Sequence, residues 1–168
     1  LRAAKLGATV GQDLHELGRR GVIAALQALE GRPMGAEILL PVQLITEADQ
    51  LILTDPATMP AVSRRYHLGV ALGDYETNAG YREIRDGVQR AAAEAGVELN
   101  LVGHHETQAL EQAAAVEAML AAEVDALILV PLNEYTLSPV VQRALRRGMR
   151  VVALDQQMGG AEVTAHVS

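Results

Sequence analysis

The chain has 168 residues, of which 49% are hydrophobic and 21% are charged, a composition typical of one ordinary globular domain. Its formal net charge of −7 argues against a nucleic-acid partner and against binding to an anionic membrane surface, because both need clustered positive charge. Cysteine is absent, which excludes disulfides, thiolate metal sites and a cysteine nucleophile, and no apolar run reaches the roughly 18 residues of a membrane span.

Aromatic residues make up only 2% of the chain, as four Tyr with no Phe or Trp. The core must therefore be built from Ala, Leu, Val and Ile. A site that stacks a ligand on an aromatic ring has four candidates, which are Tyr66, Tyr75, Tyr81 and Tyr135. Because the chain begins with Leu1 and shows no signal-peptide pattern, we expect a processed chain or a piece excised from a longer protein.

The first part of the chain predicts a strand, a helix and a second strand, over residues 5–10, 13–30 and 38–46. Asp13 has the character of a helix N-cap, and Glu16 follows three residues later as in a capping box. Pro41 restricts the second strand to a sheet edge or a bulge. Residues 47–65 have a mixed composition with two X-Pro steps, so we predict a linker there.

From Tyr66 onward, short apolar runs alternate with amphipathic segments. The predicted strands cover residues 67–72, 97–102, 126–130, 150–154 and 162–167. The predicted helices cover residues 79–95 and 107–122, and a third helix opens with Ser138 as N-cap and Pro139 as its first residue. This alternation predicts a three-layer α/β/α sandwich with a mostly parallel, doubly wound sheet. The apolar stripe of the 13–30 helix predicts that it packs on the same sheet.

Doubly wound sheets bind ligands beyond the carboxyl ends of their strands. This rule singles out Gln12 after the first strand and the residues that follow four later strands, which are 73–81, 103–106, 131–135 and 155–158. The sequence therefore predicts one shared site at a single edge of the sheet.

Four stretches after residue 66 carry a resemblance to a known family: LGVALGDYETNAGYREIRDGVQRAAAEAGVEL, VDALILVPLN, GMRVVALDQQ and EVTAHVS. Their order and spacing resemble the amino-terminal lobe of type-I periplasmic sugar-binding proteins of the ribose-binding kind. The sugar-sensing core of lactose-repressor-like regulators is similar. Residues 1–46 resemble the carboxyl-terminal end of the same family, through ATVGQDLHELGRRGVIAALQALEGRP and through ILLPVQLIT, which is similar to the family's closing strand.

The resemblance implies a flavodoxin-like single lobe of a periplasmic-binding-protein-like fold, with the family's tail placed before its head. In such proteins both pieces belong mainly to one lobe, and the second lobe, which supplies the other half of the ligand cleft, has no counterpart here. Residues 1–168 are interpreted as one lobe, with a tail-like segment 1–46, a linker 47–65 and a head-like segment 66–168. The chain is either a circular permutant or a fragment that spans the junction of tandem modules.

Transferred residue by residue, the resemblance implies a set of ligand contacts. Asn78 stands where the family has an Asn that bonds sugar hydroxyls, and Asp155 matches an Asp that accepts from them. Tyr81 stands at an aromatic position, and Gln12 matches a ligand-touching Gln at a lobe crossing. Such a set suits a polyol, which needs planar hydrogen-bonding partners and an aromatic face for its C–H side.

Two positions depart from the family pattern. Gly80 replaces the first of two adjacent aromatics, so one stacking ring is missing, and Gln156 replaces a frequent Arg. Gln156 is kept among the predicted ligand contacts, because planar side-chain amides suit a polyol.

The resemblance implies a binding module without catalysis and without a cofactor. Together with a second lobe, the module would hold a monosaccharide-like sugar and close by hinge motion, for an ABC transporter permease or a sensor, in the periplasm or another extracytoplasmic compartment. The alternative is the effector-sensing domain of a cytoplasmic, lactose-repressor-like transcription regulator. The segments 38–46 and 162–168 lack their usual continuation, so we also expect a homodimer that covers these edges.

One short motif suggests a third function. Asp13 to Gly18 matches D-x-H-x-x-G, the cobalamin-binding pattern in which the His, here His15, ligates cobalt, and Gly159-Gly160 weakly matches the later glycine signal of that pattern. A cobalamin-binding domain of an enzyme is therefore the third hypothesis. The simpler interpretation is that Asp13 caps a helix, that His15 is exposed and that Gly18 allows close packing.

Two clusters of metal-ligand residue types follow predicted strand ends, at residues 104–106 and as Asp74, Glu76 and Asp155. Adjacent residues of an extended segment point to opposite sides, so residues 104–106 are a poor set for one ion. The three carboxylates are interpreted as loop residues and an N-cap rather than as a Mg²⁺ site. We therefore predict no metal site.

Overall fold

A parallel sheet covered by helices on both faces carries the fold. The computed structural model describes residues 8–46 and 57–168. Its strands are β1 (Ala8–Gly11), β2 (Glu37–Ile38), β3 (Gln43–Thr46), β4 (His67–Gly73), β5 (Glu98–His104), β6 (Ala126–Leu129), β7 (Arg150–Leu154) and β8 (Ala165–Val167). Its helices are α1 (Leu14–Leu29), α2 (Ala79–Ala95), α3 (Ala109–Ala121) and α4 (Glu134–Arg146).

The main sheet has six strands in the order β2-β8-β7-β6-β4-β5, and every neighbouring pair is parallel. Helices α1 and α2 cover one face, α3 and α4 cover the other, and each face encloses its own apolar cluster. The predicted α/β/α sandwich is confirmed, and so is the packing of the 13–30 helix on this sheet. No helix within the described ranges is long and apolar enough to cross a bilayer.

The strands β4, β6 and β7 lie in the middle of the sheet, and their sequences are almost continuously apolar. All residues of β6 are buried, as are the residues of β4 and β7 after the first one of each strand. Runs without polar alternation are typical of parallel strands that are covered on both faces. The side chains of these strands are therefore enclosed between the two helical layers.

Two glycines let α1 and α2 approach at backbone distance. A methyl group at Gly18 of α1 would lie 2.1 Å from the carbonyl oxygen of Ile84, and one at Gly87 of α2 would lie 2.0 Å from the carbonyl oxygen of His15. These distances leave no room for a side chain, so the contact needs glycine on both helices. The contact fixes a helix of the tail-like segment against a helix of the head-like segment.

Asp13 caps α1 as predicted, because its Oδ1 accepts from the amide N–H of Glu16 at 2.9 Å. The Glu16 carboxylate, which a capping box would direct to the Asp13 amide, is used elsewhere. It accepts from the Arg20 guanidinium at 2.8 Å and from the amide N–H of Ala57 at 3.3 Å. Glu16 is only 6% exposed, and these partners compensate a nearly buried charge.

Residues 57–65, the described part of the predicted linker, run along α1 and are called the strap below. Near the start of α1, the Arg19 guanidinium donates to the carbonyl oxygen of Ala57 at 2.9 Å. The remaining linker residues, 47–56, lie outside the described part of the chain. The strap therefore begins next to the buried Glu16.

The far end of the strap is tied to the end of α1. Arg32 donates to the carbonyl oxygen of Ala61 at 2.7 Å. Glu30 accepts from the amide N–H of Ser63 at 2.6 Å, and from the hydroxyls of Ser63 and Tyr66 at 2.9 Å each. The strap thus joins the tail-like and head-like segments at both ends of one helix.

The predicted strand 38–46 is wrong as a single element. It forms β2 and β3 instead, because Pro41 lacks the amide donor that a continuous strand would need. β2 pairs with β8 in parallel, and β3 pairs with β1 as an antiparallel ribbon. The last strand is also shorter than the predicted 162–167. β8 is paired on both sides, whereas β2 is the outermost strand of the main sheet and pairs on one side only, so the homodimer stays a prediction.

The predicted start of the last helix at Ser138 is also wrong. α4 begins at Glu134, because Asn133 caps it and accepts from the amide N–H of Thr136 at 2.9 Å. Pro139 consequently lies inside the helix, where it removes one backbone hydrogen bond. The earlier start places Ser138 on the surface of α4, one turn after Glu134.

Gly18→Ala should destabilise the protein, although alanine is the better helix former. Helix propensity alone favours alanine by about 1 kcal/mol, but overpacking against the Ile84 carbonyl costs about 1–3 kcal/mol. We expect a lower free energy of unfolding in urea denaturation. Gln89→Ala, on the exposed face of α2, should change that free energy by less than about 0.5 kcal/mol. A stabilised Gly18→Ala variant would show that the two helices do not pack this closely.

Glu30 should make the stability depend on pH. The amide N–H of Ser63, followed by the Ser63 and Tyr66 hydroxyls, lowers the pKa of Glu30 below its ordinary 4.5. The stabilisation of the folded state by the ionised Glu30 is therefore fully present above pH 4.5. It is lost as the pH falls through the lowered pKa of Glu30 in the folded state. We expect Glu30→Gln to be less stable than the wild type at neutral pH, with a difference that shrinks on acidification. The same urea series on exposed Glu83→Gln is the control, and a difference independent of pH would contradict the expectation.

Candidate ligand-binding site

The carboxyl ends of the parallel strands lie along one edge of the main sheet, called the carboxyl edge below. From β4 the chain first adds β5 on one side and then returns to add β6 on the other side of β4. Such a reversal opens a crevice beyond the strand ends, where doubly wound sheets bind ligands. The loops that follow β4, β6 and β7 therefore frame the candidate site.

Asn78 ends the loop after β4 and caps α2. Its Oδ1 accepts from the amide N–H of Gly80 at 2.8 Å and from that of Tyr81 at 3.4 Å. The residue is exposed at the carboxyl edge. Its acceptor oxygen is committed to the helix, so a ligand would be met by the two donors of its NH₂ group.

The Tyr81 ring lies against the end of β4, in space that Gly73 leaves open. A methyl group at Gly73 would lie 2.2 Å from the ring, so this strand end accepts only glycine beneath the tyrosine. Burial raises the pKa of the Tyr81 hydroxyl, and the negative charges of Glu106 and Asp155 raise it further. Carboxylates from the loops after β5 and β7 therefore lie near enough to Tyr81 to affect its ionisation.

A second aromatic ring lies at the same edge, that of Tyr75, which the sequence offered as one of four stacking candidates but to which no ligand contact was assigned. Tyr75 covers Gly103, where a methyl group would lie 2.6 Å from the ring. Gly103 pairs with Leu72, the neighbour of Gly73, so both rings rest on adjacent strand ends. The signal for this arrangement was a glycine near the end of each of two neighbouring strands.

Asp155 follows β7 in a left-handed backbone conformation, with a φ of 62°. Residues other than glycine adopt this conformation where surrounding contacts impose it. The amide N–H of Asp155 donates to the carbonyl of Val167 at 2.8 Å, and its carbonyl oxygen lies 3.2 Å from Nε2 of His166. These backbone contacts with β8 leave the side chains of Asp155 and Gln156 exposed.

α1 and α2 begin side by side at the carboxyl edge, because a methyl group at Gly80 would lie 3.2 Å from Cδ1 of Leu14. Gln12, just before the cap of α1, is half-buried, and Asn78 caps α2. The structure thus brings all five predicted site residues to one edge. Their contact with a ligand stays a prediction.

The residues weighed as metal ligands form loop structure. The Asp74 carboxylate accepts from the Thr77 hydroxyl at 2.6 Å and from the amide N–H of Glu76 at 3.0 Å, and these hydrogen bonds, that of Thr77 above all, lower the pKa of Asp74. Burial lowers the pKa of His104. Within residues 8–46 and 57–168, no three His, Asp or Glu side chains form a group that could hold a metal ion.

The D-x-H-x-x-G motif is explained by helix packing. Asp13 caps α1, and Gly18 lets α1 approach α2, as the simpler interpretation predicted. The predicted exposure of His15 is wrong, because the residue is half-buried and its Nε2 is shielded from solvent.

An open cavity of about 380 Å³ lies at the opposite edge of the sheet. It is lined by the turns from α3 into β6 and from α4 into β7, which include Glu123, Asp125, Arg147 and Met149. None of the five predicted site residues lines this cavity. It is therefore separate from the candidate site.

Comparison with known proteins points to one family. Residues 69–168 match the family described as the periplasmic binding protein domain. The D-xylose-binding periplasmic protein of Escherichia coli (strain K12) is 28% identical over 128 residues, which cover 74% of this chain and 36% of that protein. The chain thus spans about a third of the length of the curated relative it matches.

Solved structures show the same fold. The periplasmic component of an ABC-type sugar transport system from Hahella chejuensis matches with a TM-score of 0.55 and 31% identity, over 60% of this chain and 37% of that chain. The periplasmic ribose ABC transporter from Conexibacter woesei DSM 14684 matches with a TM-score of 0.54 and 16% identity, over 61% and 33% of the two chains. At 16% identity, the second likeness shows the fold alone.

Tyr81 should titrate above the ordinary tyrosine pKa of 10.0. Gly73→Ala should lower the pKa toward that value, because the added methyl group displaces the ring from its buried position. Asp155→Asn should lower it as well, because a nearby negative charge is removed. NMR titration of ring-labelled tyrosine, with Tyr81→Phe for assignment, measures the pKa.

Glu123→Gln, at the opposite edge, is the control for this titration and should leave the pKa of Tyr81 unchanged. If Tyr81 titrates at its ordinary pKa in the wild type, or if its pKa is the same in Gly73→Ala, the ring does not lie against the end of β4.

Proposed function

Because the chain belongs to the periplasmic binding protein domain family, we propose that it forms one lobe of a solute-binding protein and that its carboxyl edge supplies half of a sugar site. A second lobe supplies the other half. Closure of the two lobes around the ligand presents it to an ABC transporter or a sensor. The proposed compartment is the periplasm or another extracytoplasmic space.

The grouping of Tyr81 and Asp155 at the carboxyl edge carries this proposal. A sugar offers C–H groups on its faces, which suit an aromatic ring, and hydroxyl donors at its rim, which suit a carboxylate. The amides of Asn78, Gln156 and Gln12 add donors and acceptors around this pair. The set supports binding of a small polyol and requires no reaction.

The chain path supports a second lobe beyond the same edge. The β1–β3 ribbon lies outside the main sheet and connects to α1 and β2 at this edge, where β8 also ends. The amide N–H of Leu40 donates to the carbonyl of Ser168 at 2.6 Å and holds two of these segments together. A ligand bound here would therefore lie beside the β1–β3 ribbon.

The relatives suggest which sugars to test first. D-xylose occurs in the name of the curated relative, and a solute-binding protein of the same fold from Clostridium phytofermentans holds β-D-glucose. We propose a neutral monosaccharide of this kind as the ligand. D-xylose, D-ribose and D-glucose form the first set of probes.

Two other functions are less well supported. The sensing core of a lactose-repressor-like regulator would use the same edge, but the matched relatives are described as periplasmic or solute-binding proteins. A cobalamin domain would need His15 to reach a cobalt ion, whereas its Nε2 is shielded from solvent. Binding of an extracytoplasmic sugar therefore remains the proposed function.

Asp155→Asn should weaken sugar binding by about 1.5–3 kcal/mol, the scale of a hydrogen bond to a charged group. Asparagine tolerates the left-handed backbone, so the variant removes the charge and keeps the loop. Exposed Glu162→Gln is the control and should bind as the wild type does. NMR titration with the three sugars measures the affinity, because we expect half of a cleft to bind a sugar weakly.

Two outcomes would count against this account. An unchanged affinity in Asp155→Asn would remove Asp155 from the site. If the wild type binds none of the three sugars, the proposed function is overturned.

A further inference from the structure

Three polar side chains of α4 reach the loop that follows β7. Glu134, Ser138 and Gln142 are spaced by four residues, so they lie on one face of the helix. The loop spans residues 155–160 and carries Asp155 at its start. α4 therefore meets the candidate site through one polar stripe.

This stripe bonds two consecutive glycines at the end of the loop. Glu134 Oε2 accepts from the amide N–H of Gly159 at 2.7 Å. The Ser138 hydroxyl and the Gln142 side-chain amide donate to the carbonyl oxygen of Gly160, at 3.1 Å and 2.5 Å. The end of the loop is thus held by one acceptor and two donors.

The two glycines make room for this contact. A methyl group at Gly159 would lie 2.3 Å from Oε2 of Glu134, so any other residue would expel the carboxylate. Gly160 has a φ of 74°, in the left-handed region that favours glycine. The Gly159-Gly160 pair therefore admits Glu134 and closes the loop against α4.

The start and the middle of the loop are fixed as well. The backbone of Asp155 is bonded to β8, and Met158 is buried in the apolar cluster beneath α3 and α4. A strained backbone persists only where its surroundings over-determine it. β8 holds the start of the loop at Asp155, and the contact of Glu134 with Gly159 holds its other end.

We propose that Glu134 is a positioning residue of the sugar site. Its carboxylate holds the loop at Gly159, so that Asp155 and Gln156 keep the orientation in which they meet the sugar. Ser138 and Gln142 assist by fixing the carbonyl of Gly160. This inference rests on the proposed function of the carboxyl edge.

Three variants distinguish the hydrogen bond between Glu134 and Gly159 from the negative charge of the Glu134 carboxylate. Glu134→Ala removes the acceptor, Glu134→Gln keeps an acceptor oxygen for the Gly159 amide, and Gly159→Ala fills the space of an intact carboxylate. We expect Glu134→Ala and Gly159→Ala each to weaken D-xylose binding about tenfold, roughly the effect of one lost hydrogen bond. Glu134→Gln should bind within about twofold of the wild type, a difference well under 1.4 kcal/mol.

The double variant and a control sharpen the comparison. Because Glu134→Ala and Gly159→Ala break the same contact, the double variant should bind no more weakly than either single variant. Exposed Arg146→Ala, in the last turn of the same helix, should bind as the wild type does. If Glu134→Ala does not fold, Gln142→Ala tests the same attachment from the surface and should also weaken binding.

Amide hydrogen exchange without sugar supplies a second readout. In Glu134→Ala, exchange should accelerate at Gly159 and Asp155, and Arg146→Ala should leave both rates unchanged. A merely structural role would lower the free energy of unfolding and leave the Kd of the folded protein unchanged. Affinity and unfolding are therefore measured on each variant.

The outcomes distinguish this inference from the function on which it rests. If the wild type binds D-xylose and the variants at Glu134 and Gly159 bind it equally well, the positioning role is overturned and the proposed function stands. If the wild type binds none of D-xylose, D-ribose and D-glucose, the proposed function fails and the positioning role fails with it. Weaker binding in Glu134→Ala and Gly159→Ala with rescue by Glu134→Gln supports the inference.

Discussion

The close contact between α1 and α2 is the constraint on which the rest of the structure depends. It is possible only because Gly18 and Gly87 each lack a side chain where the other helix passes. α1 comes from the first 46 residues and α2 from the rest of the chain, so the contact packs the two segments against each other. It also sets the starts of both helices side by side, and thereby brings Gln12 to the edge that Asn78 occupies.

At the carboxyl edge, too, glycines make room for groups that pack against the backbone. Gly73 and Gly103 receive the rings of two tyrosines, and Gly159 receives the carboxylate of Glu134. In each case a side chain fills the space that a missing Cβ leaves, so its position is set by the backbone beneath it. Sites that are fixed in this way are organised before the ligand arrives, which lowers the entropy cost of binding.

The fold class and the edge of the site were predictable from sequence, because continuous apolar runs mark β4, β6 and β7 and the rule for parallel sheets then selects one edge. The start of α4 was not predictable, since Asn133 and Ser138 are both residue types that cap helices well. In the structure Asn133 forms the cap, whereas the Ser138 hydroxyl bonds the carbonyl oxygen of Gly160 in a loop that is distant in sequence. The bond between Glu134 and Gly159 joins residues 25 positions apart on either side of a strand, and no local pattern announces it.

The proposed sugar site lies at the carboxyl edge of the main sheet. Mapping of backbone amide chemical shifts during titration of the ¹⁵N-labelled chain with D-xylose tests it most directly. We expect the largest changes at Asn78, Gly80, Tyr81, Asp155 and Gln156. Saturable changes confined to the opposite edge, at the cavity lined by Glu123 and Arg147, or no saturable change with any sugar tested, would contradict it.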